Sequence, residues 1–301
     1  MAKSSYNIEK VYEEINTING YFGVDNGGNV VFSDKILSTY CRYLDNSGFC
    51  RNYLEMASSG VIYVLKTLKE KCNLEYDKLA EYAILWLRYK LNQKDPYFNT
   101  KLIDFYTSHI QTNKHYNVKI NNSGNMTYKD IIDTKADLMN FKEMTKFSYP
   151  FKILLLLYDK NKNKNNSRNC AHLNDAKKFA NKFEELNKDS NNIEYSSYNK
   201  MLSRLSDDYN NLINKCTDFP PLPKIEPKKN YEQILGQTSE GTSSSSSIST
   251  TLIPALSIVS VIPVFLGISY KYSLFGVDKL FQRQYIRNKL KKVKKKMKLN
   301  I

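Results

Sequence analysis

Apolar residues recur at helical spacing through most of the stretch from Tyr6 to Cys216, and alternating β-branched runs are few. This region therefore reads as mainly α-helical, with strands scarce. The strongest stretch is Leu74–Asn92, where Leu79, Tyr82, Ala83 and Trp86 form one stripe while Ile84, Leu85, Leu87 and Leu91 cover other faces. Apolar positions all round predict a helix lying centrally in a bundle, ended by Asp95-Pro96. Further helices are predicted around Val61–Lys71, Lys101–Thr112, Tyr128–Asp133, Lys135–Asp159, Asn174–Asn187 and Ser196–Cys216, separated by Asn, Asp, Gly and Ser punctuation. The polar stretches Asn117–Asn125 and Asn161–Asn169 read as mobile loops, and Gly23–Gly28 as a turn.

Beyond Cys216 the pattern changes. A Pro-rich run, Phe219–Pro227, gives way to a Ser/Thr-rich run, Gln237–Thr251. Neither has the apolar area to offset ordering, which predicts a disordered, flexible stalk. Residues 251–270 are then almost wholly apolar, and no charge occurs between Glu240 and Lys271. About 20 residues at about 1.5 Å rise match a hydrocarbon layer of about 30 Å, so one transmembrane helix is expected, with Pro254 and Pro263 tolerated in it. Four segments follow: a helical-bundle ectodomain at 1–218, a stalk at 219–250, a span at 251–270 and a basic tail at 271–301.

Charge gives the orientation. The chain carries a net +15, and from Lys271 onward eleven Lys and Arg face a single acid, Asp278. Basic residues flanking a span stay cytosolic, so the tail is expected inside and the first 250 residues or so outside. Ile286, Leu290, Val293 and Met297 fall at helical spacing, with Lys289, Lys291, Lys292, Lys294, Lys295 and Lys296 around them. This is the pattern of an amphipathic helix on an anionic cytosolic leaflet, each cation there contributing about 1 kcal/mol. In a soluble protein the same run would suggest nucleic acid; beside a span the lipid bilayer is the better partner.

Five cysteines, Cys41, Cys50, Cys72, Cys170 and Cys216, all precede the span, as an oxidising side would require. Their odd number leaves at least one unpaired within the chain, and two bridges can be drawn in fifteen ways. The amino terminus shows no apolar core of a cleaved signal, so membrane entry is expected to use the later segment. No metal, cofactor or catalytic site is expected. His109, His115 and His172 lack metal-ligand spacing, there is no C-x-x-C, and neither a phosphate-binding glycine loop nor G-x-S-x-G occurs. The Asn121, Asn125 and Asn165 glycosylation triplets are what chance gives so Asn-rich a chain.

Several segments resemble, in order, the Plasmodium interspersed repeat (PIR) proteins, the Cir/Yir/Bir variant antigens of malaria parasites. They are Leu79–Gln93, Asp104–Ile110, Ile131–Asn140, Glu184–Asn187, Leu205–Asn211 and Tyr270–Gly276. The resemblance implies a helical ectodomain on or near the infected red cell, with roles in antigenic variation, immune evasion and adhesion to a host cell-surface receptor. Against the family pattern, Cys41, Cys50, Cys170 and Cys216 match, whereas Val61, Leu155 and Leu173 stand where further cysteines are usual. Cys41 with Cys50 is the first expected disulfide because a short loop closes easily; two reduced thiols are the alternative. An export pentamer is missing, Arg42–Asn46 failing at its last place. The expectation is thus a non-enzymatic surface antigen binding through exposed loops, with a membrane-anchored intracellular or vacuolar scaffold as the rival.

Overall fold

The computed structural model describes residues 6–24, 30–33, 35–44, 46, 48–121, 125–159, 170 and 172–229. They belong to one compact unit, 1–236, and are mainly helical. Helix α1, Ile8–Gly20, starts where the Asn7 side chain accepts the Lys10 N–H at 3.2 Å. It buries a stripe of Ile8, Val11, Tyr12, Ile15 and Ile18. The chain then forms a short antiparallel hairpin, β1 (Phe22–Val24) with β2 (Val30–Ser33), Phe22 opposite Ser33. Sequence reading placed only a turn in this region; Val30-Val31-Phe32 is a strand signal, but a very short one. A single-turn helix α2 follows at Lys35–Ser38.

Helix α3, Tyr53–Cys72, begins well before the expected Val61. Asn52 caps it, accepting the Glu55 N–H at 2.9 Å, and Asn73 closes it in the left-handed conformation, φ 49°. The run Ala57-Ser58-Ser59-Gly60 looks like poor helix, yet all four residues are buried. Small size is the reason. A Cβ on Gly60 would stand 2.3 Å from Trp86 Cη2 and 3.0 Å from Phe22 Cζ. Trp86 lies on α4, Tyr76–Asn92, which is buried on nearly every face, including Arg88 and Lys90. The all-round apolar pattern of α4 thus corresponds to a central position, against α3 above all.

The segment 101–112 is a turn of α5, Leu102–Phe105, continuing into a π-helical turn, Tyr106–Ile110. Helix α6, Tyr128–Asp133, carries a capping box between Thr127 and Asp130. The single helix expected over 135–159 is three pieces: α7 at Ala136–Met139, a 3-10 stretch at Lys142–Phe147, and α8 at Ser148–Leu157. Pro150 sits in the first turn of α8, where its missing N–H costs nothing, but it could not continue a helix arriving from α7. Amphipathic α9, Leu173–Asn187, and α10, Ser197–Ile213, complete the unit.

The expected stalk begins later than its composition suggests. Phe219 is buried, the Asn187 amide donates to the Lys224 carbonyl at 2.8 Å, and the Lys228 N–H donates to the Asn192 carbonyl at 2.8 Å. Prolines keep this stretch extended, and asparagines of the helical unit satisfy its free backbone groups. Residues 230–301, including the expected span and amphipathic tail, lie outside the described residues. No helix among the described residues is long and apolar enough to cross a membrane.

One polar knot ties the helices. Asp208 on α10 is buried and accepts from Tyr12 (2.8 Å) on α1 and Tyr82 (2.8 Å) on α4. Tyr158, just after α8, donates to the Asp208 backbone carbonyl at 2.6 Å and stacks on Tyr12, centroids 4.4 Å apart. Arg204, one turn earlier, makes two hydrogen bonds to Glu81 Oε2, at 2.8 and 2.9 Å, and one to Tyr6 at 3.3 Å. Burial pushes the Asp208 carboxyl up to about 7, with Arg204, Tyr12 and Tyr82 opposing and Asp207 adding. The folded chain then keeps a proton there that an unfolded carboxyl, near about 4, releases. The stability contributed by this group is complete below about pH 4 and is lost as the pH rises through about 7.

Two outcomes follow. Gly60→Ala should lower unfolding stability by about 1–3 kcal/mol through overpacking, measurable in urea with the single tryptophan as fluorophore. In Asp208→Asn, which keeps an acceptor but cannot titrate, the decline in thermal midpoint from pH 5 to pH 7 should flatten; an unchanged slope would assign the titration to another group.

Candidate binding surface

No catalytic constellation forms among the described residues. No three His, Cys, Asp or Glu side chains gather there at metal-binding distance. Each histidine has its own neighbour: His109 Nδ1 is 3.7 Å from Glu55, His172 Nδ1 is 3.6 Å from Asp175, and the His115 ring meets Tyr40 edge-on. Cys72, the unpaired cysteine, is half-buried at the end of α3. Burial, with Glu14 adding, pushes its thiol up to about 11, which makes it a poor nucleophile at neutral pH.

The chemistry is on the outside. Cys41 is bonded to Cys50, Cα atoms 5.5 Å apart, and Leu44 pairs with Cys50 as an antiparallel bridge. The resulting knuckle is fastened to α3 by a hydrogen bond from the Arg42 N–H to Glu55 Oε2 at 3.0 Å, and below it the Ser59 hydroxyl donates to the Leu37 carbonyl. Burial alone would raise the Glu55 carboxyl, but His109 and the backbone N–H groups of Arg42 and Tyr43 hold it below the usual range. The anchor therefore stays charged.

On this support Tyr43 and Leu44 are left 43% and 51% exposed. The guanidinium carbons of Arg42 and Arg51 lie 4.7 and 5.0 Å from the Tyr43 ring centroid. Tyr and Arg are the residue types enriched where interfaces concentrate their binding energy, and a disulfide lowers the entropy lost when such a loop is immobilised.

Tyr40, next to Cys41, packs against His115 and Tyr128, centroids 5.8 and 6.5 Å away, and the Asn113 amide donates to the Tyr40 carbonyl at 2.9 Å. Those residues bracket the polar loop 117–125, whose arms pair at Lys119 and Thr127 and whose Val118 is 54% exposed. One of the two loops marked from the sequence thus stands beside the knuckle. The other, 161–169 with the Asn165 triplet, lies outside the described residues, as do Lys289, Lys291, Lys292, Lys294, Lys295 and Lys296.

Sequence reasoning marked Cys41 and Cys50 as a pair, but took in Arg42, Tyr43 and Leu44 only as part of a failed export pentamer and Arg51 not at all. The available signal was an aromatic and two arginines at a nine-residue cysteine spacing, informative only once the pairing is known. A second bridge, Cys170–Cys216, ties the approach to α9 to the end of α10.

A family profile described as Plasmodium variant antigen protein Cir/Yir/Bir matches residues 12–271. A solved Plasmodium PIR protein ectodomain is similar at 32% identity and a TM-score of 0.56, over 74% of this chain and 99% of that one. No curated protein matches.

Digestion without reduction should yield linked peptides for 41–50 and 170–216, with one slowly alkylating thiol, Cys72. Closing the longer loop constrains the unfolded chain more, so Cys170→Ser should cost about 4 kcal/mol and Cys41→Ser about 3. The reverse order in denaturant unfolding would contradict that account.

Proposed function

Because the chain belongs to the Plasmodium Cir/Yir/Bir variant antigen family, we propose that it is a non-enzymatic surface antigen of the infected red cell, anchored by one carboxyl-terminal span. In this reading residues 1–229 form the ectodomain, 230–250 the stalk, 251–270 the span and 271–301 a cytosolic tail. The observation that carries it is the order of features: a disulfide-bonded helical unit, then a charge-free apolar segment, then a strongly basic end. The family match continues to residue 271, across that apolar segment. The solved ectodomain is used almost whole, at 99%, while a quarter of this chain remains outside the match.

Lys289, Lys291, Lys292, Lys294, Lys295 and Lys296 would hold the tail on the anionic leaflet, away from nucleic acid. Adhesion is assigned to the face made by the Cys41–Cys50 knuckle and the 117–125 loop. Its exposed aromatic, aliphatic and arginine side chains suit a host receptor offering acidic groups around an apolar spot. Immune evasion would follow from variation in exposed residues that the bundle does not need for folding.

Protease treatment of intact infected cells tests the display. Antibodies to residues 1–216 should lose their signal while antibodies to the tail after Lys271 keep theirs. Protection of both would assign the chain to an internal or vacuolar membrane and end the surface-antigen reading. For adhesion, Tyr43→Ala with Arg51→Ala should lower cell binding at least about tenfold, the scale of losing one hot-spot pair, with the fold unchanged by circular dichroism.

A further inference from the structure

Away from the knuckle, the residues after α4 fold back over it and leave a half-open cavity of about 480 Å³ against α7 and the start of the 3-10 stretch. That size lies within the range of small-molecule sites. Leu102 and Met139 form its buried floor, Phe141 and Ile103 its walls, and Phe98, 48% exposed, stands at its mouth.

Every ionisable side chain lining the cavity is a cation: Arg88, Lys101 and Lys142. Arg88 is only 3% exposed. Its two terminal nitrogens donate to the carbonyls of Thr100 (2.6 Å) and Phe98 (2.9 Å), and its Nε is buried without a partner. No carboxylate among the described residues pairs with it, and burial alone pulls it down to about 10, so it remains cationic at neutral pH. An unpaired buried cation is costly, and an anion brought into the adjoining cavity would offset part of that cost.

From this geometry we infer that the cavity binds a fatty-acid anion, its carboxylate drawn to Arg88, Lys101 and Lys142 and its chain lying along Phe98, Leu102, Met139 and Phe141. Charge complementarity selects the head group, and the apolar floor and walls select a chain over a bare inorganic anion. A peptide fits less well. The carbonyls of Phe98 and Thr100 are already held by Arg88, and the Thr100 N–H is already bonded to Tyr97, so little main chain is left to pair with a strand. The inference does not depend on where the ectodomain is displayed.

The test uses the full chain in phosphatidylcholine nanodiscs with a diazirine-bearing palmitic acid, the crosslinks being mapped by peptide mass spectrometry. Labelling is expected within 98–103 and 139–142, competed by unlabelled palmitate but not by methyl palmitate. The exposed pair Lys101→Glu with Lys142→Glu, which should fold normally, is expected to lower that labelling about tenfold. Arg88→Leu should lower it further, provided its circular dichroism matches the parent. Labelling confined to 251–270 would mean partition into the bilayer and would overturn the proposal. Equal competition by methyl palmitate, or unchanged labelling of the double charge reversal, would overturn it as well.

Discussion

The carboxylate of Asp208 holds hydroxyls from two other helices, while a third hydroxyl, that of Tyr158, reaches its backbone carbonyl. Through these bonds α1, α4, the end of α8 and α10 meet at one point, although they are far apart in the chain. Apolar packing alone would allow such helices to slide against one another with modest loss. A buried acceptor does not permit that, because each displaced hydroxyl would be left without a partner at about 1–3 kcal/mol. The tyrosines are therefore positioned by Asp208 as much as they shield it. Arg204 and Glu81 repeat the device one turn away, closer to solvent, with Tyr6 bridging the two.

How far this was legible in the sequence depends on whether an element's reason lies within itself. Helix α4 was, because its apolar residues on every face have no explanation except a central place. Helix α3 was only half legible: Ser58, Ser59 and Gly60 look like punctuation until Trp86 is seen filling the space they leave. The same holds for residues 219–229, whose composition suggests a free stalk and whose partners, Asn187 and Asn192, belong to another segment. In the candidate surface, cysteines could be marked from the sequence because their chemistry is intrinsic, whereas Tyr43 gains its character from Arg42 and Arg51 on either side. Arg88 was hidden for a similar reason: nothing along α4 sets it apart from Lys90, also buried, until the carbonyls of Phe98 and Thr100 are seen to meet it.

Fold and surface are thus governed by different parts of the chain. The aromatic core, from Tyr12 through Trp86 and Phe151 to Tyr209, is buried and mutually constraining. The knuckle and the 117–125 loop hang from it by backbone bonds and by ring contacts through Tyr40. Substitutions at Tyr43, Leu44 or Val118 change what the outside presents without touching Asp208 or Trp86. A variant antigen requires this separation, since exposed residues can then change while the core that orders them persists.

The cysteine pattern follows the same division. Each disulfide joins a buried sulfur to a half-buried one: Cys41 and Cys216 are 4% and 1% exposed, whereas Cys50, in the surface knuckle, and Cys170, on the way into α9, pack against the core from outside. Val61 and Leu155, two positions at which the family resemblance implies further cysteines, are core residues, and Leu173 packs against the core. In the interior, where neighbours are already held by contact on all sides, a covalent bond adds little that an aliphatic side chain cannot supply by filling the space. At the periphery no such substitute exists, because the loop has too few contacts to offset its own conformational entropy. Each bridge of this bundle therefore fastens a thinly packed segment, the one holding Cys50 or the one holding Cys170, to a cysteine that the interior already holds in place.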